Sequence, residues 1–409
     1  MKRFLLFSFV AFLAVAGCKK RPVSKLGEVY KRVARPEIWQ VLPRSQGERI
    51  GLKPGDLLLS YNGRPVETND DVRKAQALAL GSEGKIPLVV LRGEKELEFS
   101  VQPGPLGGMP VVAKYPSSLA LALEDIMRHF GLFTDYDWLA ALSGESFTFT
   151  AKADECRGFW SGGKSGDYLE SLGHVAGLSF RKIINDGTGK HVKAIMRNRN
   201  SGRIVLVHGG WPGHRSGFWG VATRYSPKDS IIYGYSMDSA EEMPLLGPVK
   251  EIFVTKPAGS WQEPAKLLGR VLKQALELNQ VYSDTGWKSG MDAYNLLITS
   301  LDTLPFCPVC GVKESQVCFD RLIYTALAHK QSAQRFLEGM KLALPNQADV
   351  INEALADNQA IIGKFYGITR SSARIGRLQD QRKLGMVINA IQLIENDLIG
   401  DYEDILGRL

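Results

Sequence analysis

Ile50-Gly51-Leu52-Lys53-Pro54-Gly55-Asp56-Leu57-Leu58-Leu59-Ser60-Tyr61-Asn62-Gly63-Arg64-Pro65-Val66 decides the reading of the N-terminal part of the chain. Gly51, Pro54 and Gly55 punctuate a turn, and Leu57-Leu58-Leu59 is an apolar run of strand length. Asn62-Gly63 is a strong hairpin signal because both residues tolerate positive φ. Upstream, Ile38-Trp39-Gln40-Val41-Leu42 reads as a strand ended by Pro43. Downstream, Asn69 is expected to cap a helix running to about Leu80, with Asp70 and Asp71 favourable to its dipole. Ile86 to Arg92 and Glu94 to Val101 form a second hairpin around Gly93.

Gly-Leu-Lys-Pro-Gly-Asp, then Leu-Ser-Tyr-Asn-Gly-Arg-Pro-Val, a short helix and Pro-Leu-Val-Val-Leu-Arg-Gly follow one another over residues 30–104. In that order they resemble the bacterial PDZ family. The resemblance implies that a peptide adds as a strand beside the helix while backbone N–H groups of a preceding loop hold its carboxylate. That loop would lie at Arg35-Pro36-Glu37-Ile38, continuing into Trp39, with Val72 and Gln76 on the helix side. No glycine-bearing carboxylate loop is visible there; Pro36 removes a donor and Glu37 repels a carboxylate.

Met1-Lys2-Arg3 is a positive n-region, and Phe4 to Val15 is an apolar run too short for a bilayer span. Val15-Ala16-Gly17-Cys18 ends it and resembles the lipobox of bacterial lipoproteins. The resemblance implies a signal peptide over 1–17, acylation (diacylglycerol and palmitate type) of Cys18, a tether over 18–29, and a cell-envelope location facing the periplasm or the exterior. No later segment holds 18 uninterrupted apolar residues.

At 409 residues the chain exceeds one ordinary domain. Its composition, 44% hydrophobic and 23% charged, supports globular cores. The net charge of +8 is spread without a basic stripe interleaved with aromatics, so no nucleic-acid partner is expected. Residues 105–112, within a Pro- and Gly-rich run from Pro103, read as a linker. Residues 113–260 then give an α+β pattern: a helix from Ser118 to Phe130 stopped by Gly131, and strands near 203–207, 218–225, 231–235 and 250–254.

Ser118-Leu119-Ala120 through His129-Phe130-Gly131, Phe218-Trp219-Gly220-Val221-Ala222-Thr223, and Asp238 after Tyr233-Gly234-Tyr235-Ser236-Met237 resemble the papain-like bacteriocin-leader peptidases and the butirosin-biosynthesis acyltransferase. In those proteins a Cys opens the helix, a His opens the strand and an Asp follows. Here Ser118 stands for the Cys and an aromatic for the His, which implies a pseudoenzyme. Were it active, Ser118 would need a base from His208 or His214, oriented by Asp238. Gly158 to Ser165 has P-loop spacing but lacks the strand before it and the helix after it. No cofactor is implied.

Beyond Cys18 stand Cys156, Cys307, Cys310 and Cys318. In an exported chain the last three read first as disulfide candidates. A zinc site of Cys307, Cys310, Cys318 and His329 is the alternative, weakened by the lack of a second CxxC. Residues 261–409 are expected to be helical, with Pro264 to Gln280 one amphipathic helix and apolar stripes at helical spacing from Phe319 to Leu406. The expectation is thus a multidomain α+β protein: a β-rich PDZ unit, a papain-like α+β module and a helical C-terminal region. It would bind peptides or protein C-termini in the envelope. The alternative is a peptidase or acyltransferase.

Overall fold

The computed structural model describes residues 26–41, 45–132, 135–152, 169–183, 195, 203–212, 217–237, 240–259, 263–280, 287–309 and 311–409. The leader and Cys18, Cys156, the Gly158–Ser165 loop, His214, Asp238 and Cys310 lie outside them.

The N-terminal unit holds α1 (Glu28–Val33), β1 (Ile38–Val41), α2 (Gln46–Ile50), β2 (Leu57–Tyr61), β3 (Arg64–Pro65), α3 (Asn69–Ala79), β4 (Ile86–Arg92), β5 (Lys95–Val101) and β6 (Gly108–Pro110). Four strands form an antiparallel sheet in the order β3-β2-β4-β5. The Asn62-Gly63 turn forms as expected, with φ of 52° and 71°. Leu58, Tyr61, Leu88 and Val90 fill the core with Ala75 and Ala79 of α3. The cap of α3 is Thr68 and not Asn69: its hydroxyl accepts from the Asp71 N–H while the Asp71 carboxylate answers the Thr68 N–H, a full capping box. Asn69 is instead buried, its backbone N–H bonded to the Ala34 carbonyl.

Next come α4 (Ser118–His129), α5 (Tyr136–Leu142), β7 (Thr150–Lys152), α6 (Leu169–Ala176) and β8 (Leu178–Ile183). They are followed by β9 (Ile204–Gly209), β10 (Trp219–Ser226), β11 (Ile231–Ser236), β12 (Met243–Pro244) and β13 (Val249–Pro257). Six strands make an antiparallel sheet ordered β12-β11-β10-β9-β13-β8. Ile204 and Leu206 join the large core beside α4, whereas Val205 and Val207 join a second core with Trp211, Ala222 and Ile252. Alternate residues of β9 are thus buried on opposite faces, which is why its sequence is continuously apolar.

The rest is α7 (Pro264–Gln280), β14 (Trp287–Ser289), α8 (Gly290–Leu301), α9 (Gly311–Ala343), α10 (Ala348–Arg370) and α11 (Leu378–Arg408). β14 pairs with β7, tying the helices to the middle of the chain. The expected helical region is present. Cys307 and Cys318 are buried, Cys318 within α9.

The N-terminal unit is not on a loose tether. Val29, Tyr30 and Val33 of α1 belong to the large core. The Asp125 carboxylate of α4 accepts from the Gly27 N–H at the start of α1, and Arg32 pairs with Glu124 at 2.9 Å. Gly27 has φ 98°, and a Cβ there would strike the Tyr235 ring, which stacks on Tyr30. Trp39 meets Tyr324 of α9 edge-on. Among the described residues no helix is long and apolar enough to cross a membrane.

Candidate peptide-binding edge and the Ser118 cluster

Asp56 ends the Gly-Leu-Lys-Pro-Gly-Asp turn and is fully buried. Arg92 donates to both of its oxygens at 2.7 Å and to the Gly51 carbonyl, and the Lys53 N–H closes the turn onto it. Burial alone would raise the Asp56 carboxyl, but the Arg92 and Lys53 bonds outweigh it and hold it below its usual range. The two sequence signatures, the turn and Leu-Arg-Gly, are therefore one structural joint.

Neighbouring residues of a strand offer their backbone groups to opposite edges. At β1 both edges are in use. Ile38 donates its N–H to the Asp56 carbonyl, its carbonyl accepts from the Gly55 N–H, and the Pro36 carbonyl accepts from the Leu58 N–H. Glu37 faces Leu57 across a bridge. On the other edge β6 pairs antiparallel, Ile38 with Pro110, Gln40 with Met109 and Val41 with Gly108. The expected carboxylate loop at 35–38 thus has the Ile38 N–H already spent, and Trp39 turns toward α9. The segment expected to be linker is what covers the strand: Leu106 is buried in the N-terminal core and its carbonyl takes the Gly47 N–H. The outer edge of the two-stranded β1–β6 sheet belongs to β6. Val72 and Gln76 are half-buried beside Ala75 and Ala79 on α3, whose first turn is tied to residues 33–34 through Asn69.

Ser117 caps α4 by accepting from the Ala120 N–H, and its own N–H donates to the Tyr136 hydroxyl. Ser118, the first helical residue, is buried, and its Oγ accepts from the Trp219 N–H at 3.1 Å. The starts of α4 and β10 therefore meet through this bond. Both ring nitrogens of His208 face groups other than Ser118. Its Nδ1 faces Glu251 Oε2 at 3.3 Å, its Nε2 lies 3.1 Å from the Gly217 carbonyl, and its ring stacks on Trp219 at 4.4 Å. Trp219, His208 and Glu251 stand opposite one another across β10, β9 and β13, and Lys182 pairs with Glu251 at 2.9 Å. Glu251 and Lys182 are missed by the sequence reading, since only strand register places position 251 against 208.

Glu145 is buried close to Ser117. Loss of water pushes its carboxyl up to about 8, which the Ser117 hydroxyl lowers only in part. As for zinc, Cys318 and His329 lie eleven residues apart on α9, about 16 Å along its axis, too far to share one ion. Among the described residues no group of His, Cys, Asp and Glu could hold a metal. Burial pushes the His329 imidazole down to about 3.

The comparisons with known proteins bear on the joint around Asp56. A family description, PDZ domain, matches residues 37–92. Residues 37–92 are a PDZ domain. The chain is 35% identical over 66 residues to the serine protease HTRA1 of Xenopus laevis, covering 16% of this chain and 14% of that protein. It is 36% identical over 70 residues to a protein of Clostridium perfringens named as a zinc metalloprotease, covering 17% and 20%. A protein of Rhizobium meliloti with the same kind of name is 48% identical over 50 residues, covering 12% and 13%. The chain thus spans a fifth or less of the length of these relatives. The PDZ domain carries the Asp56–Arg92 joint, β1 and α3.

Proposed function

We propose that the protein is an exported lipoprotein, anchored through Cys18 in the cell envelope, whose PDZ domain binds extended peptides or protein C-termini. The observation that carries the binding half is the two-stranded sheet that β1 of the PDZ domain forms with β6, a strand that lies C-terminal to residues 37–92 and holds the outer edge. With both edges of β1 taken, a peptide adds as a third strand on β6, one strand further out than the sequence suggested. The middle of the chain, 113–260, is in this reading a papain-like module that has lost its chemistry. Two facts support that loss: Ser118 Oγ is engaged by a backbone N–H, and both ring nitrogens of His208 face Glu251 and Gly217.

The test is titration of the full chain with fluorescent peptides bearing free or amidated C-termini, beside the variant Gly107→Val. Gly107 has φ 75° and a Cβ there would collide with that of Ser45, so valine dislodges β6. Addition on β6 predicts that binding is lost in the variant. Tighter binding would instead mean that peptides replace β6 on β1. Labelling of Ser118 by serine-directed activity probes would reject the pseudoenzyme reading, and extraction of the native protein without detergent would reject the anchor.

A further inference from the structure

The antiparallel pair α10–α11 is electrically lopsided. Around its connecting turn stand Lys364, Arg370, Arg374, Arg377, Arg382 and Lys383, against Asp380 on the turn, Asp320 of α9 beside Arg374 and Asp302 on the neighbouring α8–α9 connection. All of these cations but the half-buried Lys364 are exposed. At the far end sit Glu353, Asp357, Asp397, Asp401, Glu403 and Asp404. There the Asp401 carboxyl is raised to about 6 by burial and by its acidic neighbours. A helix of 23 residues spans about 34 Å, several Debye lengths at physiological salt, so the acidic end does not neutralise the basic tip.

The basic tip also carries apolar side chains in water. Leu378, in the first turn of α11, is 38% exposed, and Met386 is 74% exposed. The neighbouring connection between α8 and α9 is held against the tip: Gln381 donates to the Leu301 and Thr303 carbonyls, and Gln316 accepts from the Ile375 N–H. Leu304 and Val317, each next to one of those contacts, are 49% and 59% exposed. Between the helices a groove is floored by Ile368, Leu384 and Val387 and lipped by Lys364 and Lys383. An excess of cations beside exposed aliphatic side chains matches an anionic bilayer surface, where the first meet headgroups and the second enter the acyl boundary. A soluble acidic partner gives the cations a role and leaves the leucines without one.

We infer that the α10–α11 tip, with the Leu304 and Val317 shelf beside it, is a docking surface for an anionic phospholipid membrane. This contact needs no acyl chain on Cys18 and stands apart from peptide binding.

The test uses the full chain carrying Cys18→Ser, sedimented with phosphatidylcholine vesicles with and without phosphatidylglycerol. Binding is expected with phosphatidylglycerol alone and should weaken as salt rises. Charge reversal at Arg370, Arg374 and Arg377 together should weaken it at least about a hundredfold. Reversal of Lys53 and Lys95, on the PDZ surface, should change it little. Leu304→Ser with Leu378→Ser, which spares every cation, should also reduce vesicle binding while leaving binding of soluble polyglutamate unchanged. Equal binding to both kinds of vesicle, or full binding by the arginine variant, would overturn the inference. So would full vesicle binding by the leucine variant, which would mark a general polyanion site. Should the arginine variant fail to fold by circular dichroism, the salt dependence and the leucine variant decide.

Discussion

Two carboxylates of this chain give opposite dependences of stability on pH. Glu145 is the clearest case. Its folded value of about 8 lies above that of an ordinary carboxylate, so between roughly pH 4 and 8 the folded chain binds the extra proton. Stability therefore falls as pH rises through that window. Glu145→Gln stays neutral at every pH. Urea midpoints of variant and wild type should be closest near pH 4 and diverge toward pH 8, with the variant the more stable; parallel profiles would place a protonation-independent role there. Asp56 behaves in the opposite sense. Its depressed carboxyl contributes stability that is complete above the ordinary Asp value and fades as pH falls through its folded value. Asp56→Asn loses the charged bond to Arg92 and should cost about 2 kcal/mol at neutral pH, read from the urea midpoint of the PDZ transition.

Among elements, the helices are joined by a buried ion pair. Lys330 of α9 meets Glu395 of α11 at 2.5 Å, and the Tyr294 hydroxyl of α8 donates to the other Glu395 oxygen. Three helices thus share one desolvated cluster. Glu395→Ala strands the Lys330 ammonium and should cost about 3–5 kcal/mol in chemical denaturation. Lys330→Met with Glu395→Leu should recover most of that loss, because a matched apolar pair has no charge to desolvate. The apolar stripes announced these helices in the sequence. The pair itself was hidden, because positions 330 and 395 become neighbours only when α9 and α11 pack.

At the scale of the whole molecule, the PDZ domain is fastened to the body by α1 and Trp39. Gly27→Val both strains a left-handed position and displaces Tyr235, so α1 should detach from α4. Limited proteolysis is then expected to release the N-terminal unit from the variant while sparing it in the wild type. Equal protection of both would show that the remaining contacts suffice.

The local rules in the sequence determined the PDZ unit. Turn residues, strand runs and the Asp56 motif act over a few positions, and the unit forms where they place it, with the cap of α3 one residue earlier than expected. The helical tail was equally legible, because amphipathic spacing is a property of a single segment. Strand register and chain return were decided by tertiary structure alone. They set Glu251 against His208 and the Trp219 N–H on Ser118, and they brought residues 108–110 back onto β1, so that a stretch with linker composition became the strand forming the edge. Pairing of this kind depends on backbone hydrogen bonds between distant segments, and those bonds leave no trace in the identity of the side chains.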